Sequence, residues 1–272
     1  MNITITHRDG TKAPFDADRI NRSIERACRG LTDEISKVTQ IATETQLALY
    51  DGVTTEEMDE ATINAALQNV KEDPEYDIAA TRLLLKTVYR AVVGDYDPEQ
   101  EQDLARRHRD QFPKHIQQYV QDGVLDERMI KLFDLEELAD TLDISRDHIF
   151  KYSGLSTLFN RYSMKGKNLK TAETPQYFFM RVAMGLSYNE ENPTEQAKKF
   201  YEKMSRHEYI AAGSTNISAG TSRPALSNCF LLEIHDDVEH IAKSVSDVIK
   251  ISKATGGIGA SITKLRASGS PL

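Results

Sequence analysis

Apolar and polar residues alternate at the start of the chain and then change to a helical spacing. Residues 2–6 alternate and are rich in β-branched side chains, which is typical of a short strand. Asp9-Gly10 indicates a hairpin turn, and Lys12–Phe15 predicts its second strand. A helix is then predicted to begin at Asp16 or Asp18. Its apolar face is formed by residues at helical spacing: Ile20, Ile24, Ala27 and Leu31.

Further helices are predicted before the first linker, over residues 34–49, 54–70 and 75–93. Thr54 and Glu57 match the pattern of a capping box at the start of the second of these helices. Gly94 is a typical helix stop. We therefore expect residues 1–95 to form one domain, a small β cap on a bundle of helices.

The middle of the chain is predicted to be helical. Residues 95–101 are acidic, contain a proline and are typical of a linker. Helical spacing then predicts a series of helices over 102–123, 126–132, 134–142, 153–161, 175–188 and 193–207. We expect residues 96–212 to form a helical domain.

The pattern changes again after residue 212. Residues 213–216 and 220–224 are rich in turn-forming residues, and 229–234 is a continuous apolar run typical of a buried strand. A helix is predicted over 238–253, and a glycine turn over 255–259. The pattern of residues 213–272 thus predicts the first strand and helix of an α/β unit. For the whole chain we predict a mainly α fold with α+β parts. A single βα unit cannot cover both faces of its strand, so we expect a partner.

Composition excludes several classes of function. The formal net charge is −8, whereas coating a nucleic acid requires clustered Lys and Arg. The two cysteines are far apart, which excludes a disulfide framework and a CxxC zinc site and fits a reducing cytoplasm. The N-terminus lacks the apolar core of a signal peptide, and no apolar run reaches the roughly 18 residues that span a membrane.

Three stretches together resemble one enzyme family. Residues 5–10 with 15–20 resemble the ATP-cone of ribonucleotide reductases. Residues 173–183 look like the helix that precedes the reductase barrel. Residues 226–231, 255–259 and 265–271 resemble the first strand, glycine turn and Gly-Ser-Pro segment of the ten-stranded barrel of the class I large subunit. Their order matches that of the family, which makes the combination far more specific than any single motif.

The resemblance implies an ATP/dATP site in the cone, where cations hold a triphosphate with its Mg²⁺. The implied residues are Ile5, His7, Arg8, Ala13, Asp16, Arg19, Thr55, Asp59 and Arg90. His7 stands where the family commonly has Lys, and Asp59 where some members have His, so the response to dATP stays open. Without the resemblance, Arg19 and Arg90 would be interpreted as exposed helix charges.

The resemblance also implies a redox cysteine and a substrate wall. Cys229 matches the first of two cysteines that reduce the substrate and become a disulfide, a reaction that suits thiols. The implied substrate contacts are Gly213, Ser214, Asn228, Gly256 and Gly257. The alternative for Cys229 is a buried inert residue, and we assign that role to Cys28.

A specificity site for dNTP effectors is implied at Asp236, Val238 and Arg266. The family forms this site at a dimer interface. The alternative is an ordinary acidic residue at a helix N-terminus and a surface arginine.

Several parts of the family's machinery are missing from the sequence. There is no Asn-x-Cys-x-Glu segment for the radical cysteine, and no partner cysteine for Cys229. We therefore expect this chain to be inactive alone and to need the C-terminal part of the large subunit as a second polypeptide. The family further implies a small subunit with a radical-generating metal cofactor, a thioredoxin- or glutaredoxin-type reductant, and large-subunit dimers or higher oligomers.

Two other interpretations stay open at this point. The chain could be a non-catalytic nucleotide-binding regulatory fragment, or an inactive remnant. Cone-bearing repressors pair the cone with a zinc ribbon and bind DNA, but this chain lacks the cysteines and the basic charge for that role. The sequence leaves the choice between diphosphate and triphosphate substrates open.

Overall fold

A computed structural model describes residues 3–7, 10–166, 171–254 and 256–270. By its internal contacts the chain divides into two units. Unit 1 comprises Met1–Asp97, Ser145–Arg161 and Lys165–Thr174, and unit 2 comprises Pro98–Ile144, Tyr162–Met164 and Pro175–Leu272. This division differs from the three domains predicted from sequence, because Ser145–Arg161 and Lys165–Thr174 belong to unit 1. The domain bounds 1–95, 96–212 and 213–272 therefore stay a prediction.

The order of elements is mainly helical, as the sequence predicts. The strands are β1 (Thr4–Thr6), β2 (Lys12–Pro14), β3 (Cys229–His235) and β4 (Gly257–Lys264). The helices are α1 (Ala17–Cys28), α2 (Glu34–Ala48), α3 (Thr55–Gln68), α4 (Glu75–Val93), α5 (Glu101–Gln121), α6 (Arg128–Lys131), α7 (Leu135–Thr141), α8 (Tyr152–Thr157), α9 (Pro175–Leu186), α10 (Pro193–Ser205), α11 (Gly213–Ser218) and α12 (Val238–Lys253). A 3-10 segment covers Ile144–Ile149, and a π-helical turn covers Leu158–Tyr162.

The β cap of unit 1 is an antiparallel hairpin. β1 pairs with β2, Thr4 opposite Pro14 and Thr6 opposite Lys12. The residues just before α3 extend this cap: the Thr6 amide donates to the Val53 carbonyl at 2.9 Å, and the Gly52 amide to the Thr4 carbonyl at 2.8 Å. The hairpin is thereby held over the start of α3. Asp9, the first residue of the predicted turn, lies outside the described residues.

Two helices of unit 1 begin directly after residues whose side chains cap them. The Asp16 carboxylate accepts from the backbone amides of Asp18 and Arg19, so α1 is capped by the first of the two candidates. The predicted capping box of Thr54 and Glu57 is confirmed at α3. α1 to α4 bury a shared apolar core that includes Ile24, Cys28, Ile41, Ala66, Ala80 and Leu83. A small β cap on a helical bundle is thus confirmed.

Unit 2 is built around α9, whose residues 175–185 are all buried. Tyr177 donates its hydroxyl to the His108 carbonyl of α5 at 2.6 Å. Arg181 is fully buried and donates to the carbonyls of Ala219, at 2.7 Å, and Asn216, at 3.1 Å. These charge-assisted bonds satisfy a cation that would otherwise be costly to bury. They also hold the segment around α11 against α9.

Three expectations for the last part of the chain are wrong. Residues 213–216 open helix α11 instead of a turn. Gly257 and Gly259 lie in β4, which pairs in parallel with β3, so the predicted glycine turn is largely a strand. The 229–234 run is not buried: its residues alternate between half-buried and exposed, because only α12 covers the sheet within the described residues. Thr255, at the start of the predicted turn, and Pro271 lie outside those residues.

No helix among the described residues is long and apolar enough to cross a membrane.

Candidate functional site

A cavity of about 290 Å³ opens between the hairpin and helices α1, α3 and α4 of unit 1. It is lined by most of the nucleotide-site residues implied from sequence: Ile5, His7, Ala13, Asp16, Arg19, Thr55, Asp59 and Arg90. Arg8, the remaining one, lies outside the described residues. The structure therefore gathers residues from positions 5 to 90 around one opening.

Helical spacing explains how the helices line this cavity. On α1, Ser23 and Arg26 follow Arg19 at intervals of four and three residues, which puts them on one face. On α4, Lys86 precedes Arg90 by one turn. The sequence interpretation missed eight lining residues: Pro14, Phe15, Ile20, Ser23, Arg26, Met58, Thr62 and Lys86. Most of them lie on the same helical faces as the predicted residues, so helical spacing could have identified them.

Cations outnumber carboxylates in the lining. Four side chains carry permanent or near-permanent positive charge: Arg19, Arg26, Lys86 and Arg90. The opposing carboxylates are Asp16 and Asp59, and Asp16 is already engaged in capping α1. The Nε of Arg90 is buried and has no hydrogen-bond partner within the described part of the chain. This lining favours an anion, because a buried donor without an acceptor is costly.

Two mostly buried charged groups of the lining are paired with each other. The Lys86 Nζ lies 2.7 Å from an Asp59 carboxylate oxygen and donates to the Ser23 hydroxyl at 2.9 Å. The side chains of Lys86 and Asp59 are only 16% and 20% exposed. Burial lowers the pKa of Lys86, Asp59 opposes that shift, and Arg90 and Arg26 add to it. Asp59 is thus the neighbouring group that favours the charged form of Lys86.

The implied redox and substrate residues gather at one end of the parallel pair β3–β4 in unit 2. Cys229 is exposed, carries a free thiol and stands opposite Gly257. The Gly257 amide donates to the Asn228 carbonyl at 2.8 Å. A Cβ on Gly256 would lie 2.6 Å from the Ile251 Cγ2 and 2.7 Å from the Phe230 ring, so any other residue there would have to displace these side chains. Such an exposed thiol can donate hydrogen and form a disulfide with a second cysteine.

Helix α11 joins this end of the sheet. The Ser214 hydroxyl donates to the Ser227 carbonyl at 3.4 Å, and the Thr215 hydroxyl to the Leu226 carbonyl at 3.1 Å. These bonds place Gly213 and Ser214 beside the segment that leads into Asn228. The five implied substrate residues and the thiol therefore lie along one stretch of unit 2.

The implied specificity residues lie at the other end of β3. The Arg266 Nε lies 2.7 Å from an Asp236 carboxylate oxygen, and Val238 begins α12 with 79% of its surface exposed. Asp237 caps that helix by accepting from the His240 amide. Since a strand rises about 3.3 Å per residue, Asp236 stands roughly 20 Å from Cys229. Neither side chain of the Asp236–Arg266 pair is buried.

No group of three or more His, Cys, Asp and Glu side chains that could hold a metal ion occurs among residues 3–7, 10–166, 171–254 and 256–270.

Three domain families match the chain in consecutive order. The ATP cone domain matches residues 3–91, the ribonucleotide reductase all-alpha domain residues 149–224, and the ribonucleotide reductase barrel domain residues 227–272. The cone match includes every residue that lines the cavity. The barrel match includes the exposed thiol and both ends of the β3–β4 pair.

Similar proteins from distant organisms are named as alpha or large subunits of ribonucleoside-diphosphate reductase. The alpha subunit of ribonucleoside-diphosphate reductase of Chlamydia trachomatis serovar D is 34% identical over 98% of this chain. That of Helicobacter pylori is 31% identical over 98%, and the large subunit of Danio rerio is 31% identical over 97%. The matched region covers 25%, 32% and 31% of these relatives, so the chain spans about a quarter to a third of their length. This chain belongs to the ribonucleotide reductase large-subunit family, whose N-terminal ATP cone, all-alpha domain and start of the barrel it carries.

Proposed function

We propose that this chain senses ATP and dATP in its cone and supplies part of the active site that reduces ribonucleotides to deoxyribonucleotides. One observation carries the proposal. Eight residues implied by the family pattern, drawn from a hairpin and three helices, line a single cavity with an excess of positive charge. A triphosphate with Mg²⁺ supplies the negative charge that such a lining lacks.

Within the cavity, arginines hold the phosphates and apolar residues contact the base. Arg19 and Arg90 are the proposed phosphate contacts, and the buried Nε donor of Arg90 has no acceptor among the residues that the structure describes. Ile5 is buried on the hairpin side of the cavity and offers a surface for a base. The remaining proposed residues of the nucleotide site are His7, Arg8, Ala13, Asp16, Thr55 and Asp59. Mg²⁺ neutralises part of the phosphate charge when bound.

Calorimetric titration of the whole chain with MgATP and MgdATP tests the sensor role. We expect saturable binding of one or both nucleotides. Arg90→Gln should weaken it roughly 10- to 100-fold, because a charge-assisted bond to phosphate is lost. Arg22→Gln is the matched control, since Arg22 is exposed on α1 and does not line the cavity. Equal effects of both substitutions, or no binding by the wild type, would contradict the role.

In the barrel part we propose that Cys229 is one of the two cysteines that reduce the substrate. Its exposure leaves the thiol accessible to a ribose and to a second thiol. The proposed substrate wall consists of Gly213, Ser214, Asn228, Gly256 and Gly257. The proposed dNTP specificity contacts are Asp236, Val238 and Arg266, at the far end of the strand.

The rest of the barrel is proposed to come from a second polypeptide, the C-terminal part of the large subunit. Apolar side chains that a folded protein normally covers are exposed on both sides of the β3–α12–β4 unit. Leu231 is 94% exposed on the sheet. Exposed residues also follow helical spacing along α12: Val238, Ile241, Val245 and Ile249. A partner that covers both sides of this unit is expected to form an obligate interface with it.

Further partners follow from the same proposal. A small subunit would supply the radical through its metal cofactor. A thioredoxin- or glutaredoxin-type protein would reduce the disulfide formed in each cycle, in a reducing compartment such as the cytoplasm. Dimers or higher oligomers of the large subunit would complete the specificity site.

Reconstitution tests the catalytic role. We would combine this chain with a polypeptide carrying the C-terminal part of a related large subunit, a small subunit and a dithiol reductant, and measure deoxyribonucleotide formation. Turnover is expected only when all parts are present, and Cys229→Ser should abolish it. Cys28→Ala is the control, because Cys28 is buried in the core of unit 1. Nucleotide binding without assembly or turnover would favour a regulatory fragment.

A further inference from the structure

Lys86 of α4 and Asp59 of α3 meet in the wall of the cone cavity. The Lys86 ammonium lies 2.7 Å from the Asp59 carboxylate and 2.9 Å from the Ser23 hydroxyl. Both charged side chains line the opening that gathers Arg19, Arg26 and Arg90. Nothing in the family pattern assigned a role to Lys86, and Asp59 was implied only by its position in the sequence.

The environment of Lys86 is unfavourable for a cation apart from this one carboxylate. It is mostly buried, and the two other charges that act on its pKa are Arg90 and Arg26, both positive. Asp59 is the group that raises the pKa of Lys86 against burial and these arginines. A carboxylate therefore acts as the local anion of a site that is otherwise arranged for an anionic ligand.

We propose that Lys86 is a further phosphate-binding cation of the cone and that Asp59 is its resident counter-charge, which an incoming triphosphate displaces. This inference rests on the proposed nucleotide-sensing function and adds a residue and a regulatory consequence to it. A triphosphate carries several negative charges and offers more acceptor oxygens than one carboxylate. It can therefore replace Asp59 at the Lys86 ammonium.

The consequence is a site whose affinity is set below its maximum. While Lys86 is paired with Asp59, its positive charge is partly neutralised and attracts phosphate less strongly. The Asp59 carboxylate also repels the approaching ligand. Removing the negative charge of Asp59 should therefore tighten binding. If Asp59 instead accepted a hydrogen bond from the nucleotide, its removal would weaken binding, so the two roles predict opposite signs.

Titration calorimetry of the whole chain with MgATP and, separately, with inorganic triphosphate distinguishes these roles. Asp59→Asn should tighten both ligands by roughly 10-fold, and Lys86→Gln should weaken both by roughly 10- to 100-fold. Lys86→Arg should retain most of the affinity because it keeps the charge. The controls Lys71→Gln and Glu72→Gln make the same charge changes at exposed positions of unit 1 outside the cavity.

The double variant Asp59→Asn with Lys86→Gln guards against a folding defect. It removes both charges together and leaves no buried charge unpaired, so it should fold even where Lys86→Gln alone does not. Its affinity should stay well below that of the wild type, since the phosphate contact is gone. Circular dichroism of each variant establishes that the helices are retained.

Three outcomes would overturn the inference. If the wild type binds MgATP and Lys86→Gln and the double variant bind both ligands as tightly, Lys86 does not contact phosphate, although the nucleotide-sensing function stands. If Asp59→Asn weakens MgATP binding, the carboxylate contacts the ligand and is not a displaced counter-charge. If the wild type binds neither ligand, the proposed nucleotide site itself is wrong.

Discussion

The Cys229 thiol lies across from Gly257 on the neighbouring parallel strand, and a Cβ on that glycine would stand 3.9 Å from its sulfur. The space in front of the thiol is therefore left open by a missing side chain. Gly256 lies just before this strand and meets a different limit, because a Cβ there would collide with Ile251 and Phe230. The two adjacent glycines thus serve different purposes. Gly257 leaves access to the thiol, whereas Gly256 allows close packing of Ile251 and Phe230.

The two cysteines should differ sharply in reactivity. Burial raises the pKa of the Cys28 thiol to about 11, whereas Cys229 is exposed. At pH 8 only about one in a thousand Cys28 side chains would be thiolate, and the core shields it from solvent. Iodoacetamide followed by peptide mass spectrometry should therefore modify Cys229 in the native chain, and Cys28 only after urea unfolding. Equal native labelling would show that the core of unit 1 is open.

Filling the space at Gly257 should shield the thiol. Gly257→Leu is expected to slow alkylation of Cys229 about 10-fold, because the new side chain would stand in contact with the sulfur. Ala260→Leu is the control, since the alternation of a strand directs position 260 to the opposite face of β4. An unchanged rate in Gly257→Leu would mean that the thiol is approached from elsewhere. In the assembled enzyme, the same variant should lower turnover.

Gly185 should be required for the stability of unit 2. A Cβ at this position of α9 would lie 2.2 Å from the Gly220 amide nitrogen and 2.6 Å from the Ala219 carbonyl carbon. Both are backbone atoms and cannot rotate away, so Gly185→Ala should cost about 3 kcal/mol in urea unfolding. Gly154→Ala in α8 makes the same change where the nearest atom is 3.8 Å away. It should be neutral or stabilise by up to ~1 kcal/mol. A mild effect at both positions would contradict the close approach at Gly220.

His108 should make unit 2 sensitive to mild acid. Burial lowers its pKa from 6.5 to about 4. Because the unfolded chain binds the proton more readily, the free energy of unfolding is unaffected above about pH 6.5 and falls as the pH drops towards 4. The full loss is roughly 3 kcal/mol. Comparing urea unfolding at pH 7.5 and 5.0 should show roughly 2 kcal/mol of this loss, and His108→Phe should reduce it. His148→Gln, at an exposed position, should leave it unchanged.

The cone could be predicted closely because its signals are local. The hairpin, the Asp16 cap and the capping box at Thr54 are each set by residues within a few positions of one another. Half of the cavity lining, eight of its sixteen residues, followed from the family pattern. The Lys86–Asp59 pair did not, because these residues are 27 positions apart and only the packing of α3 on α4 brings them together.

The barrel part could be predicted less well because tertiary contacts override its local preferences. Glycine is a poor strand former, so the run that contains Gly257 and Gly259 was interpreted as a turn, yet pairing with β3 makes it a strand. Helix α11 begins with weak helix formers and is held by hydrogen bonds to residues 225–227. The apolar run at 229–234 indicates two covered faces, whereas α12 covers one.

The Asp236–Arg266 pair should matter for effector binding and little for stability. The two side chains are 33% and 40% exposed, and exposed ion pairs contribute about 0–1 kcal/mol. Arg266→Gln should therefore change the urea midpoint of this chain only slightly. In the reconstituted enzyme it should weaken dNTP effector binding roughly 10-fold or more, because the freed carboxylate repels phosphate and the proposed contact is lost.

Lys264→Gln is the matched control for that prediction. Lys264 lies two residues before Arg266, and it pairs with the exposed Glu233 instead of Asp236. Both substitutions remove one positive charge from the same end of the sheet, so general attraction for a nucleotide falls equally in both. A larger effect of Arg266→Gln on effector affinity, measured by equilibrium dialysis, would support a specific phosphate contact. Equal effects would instead identify Arg266 as an ordinary surface charge, the alternative that the sequence left open.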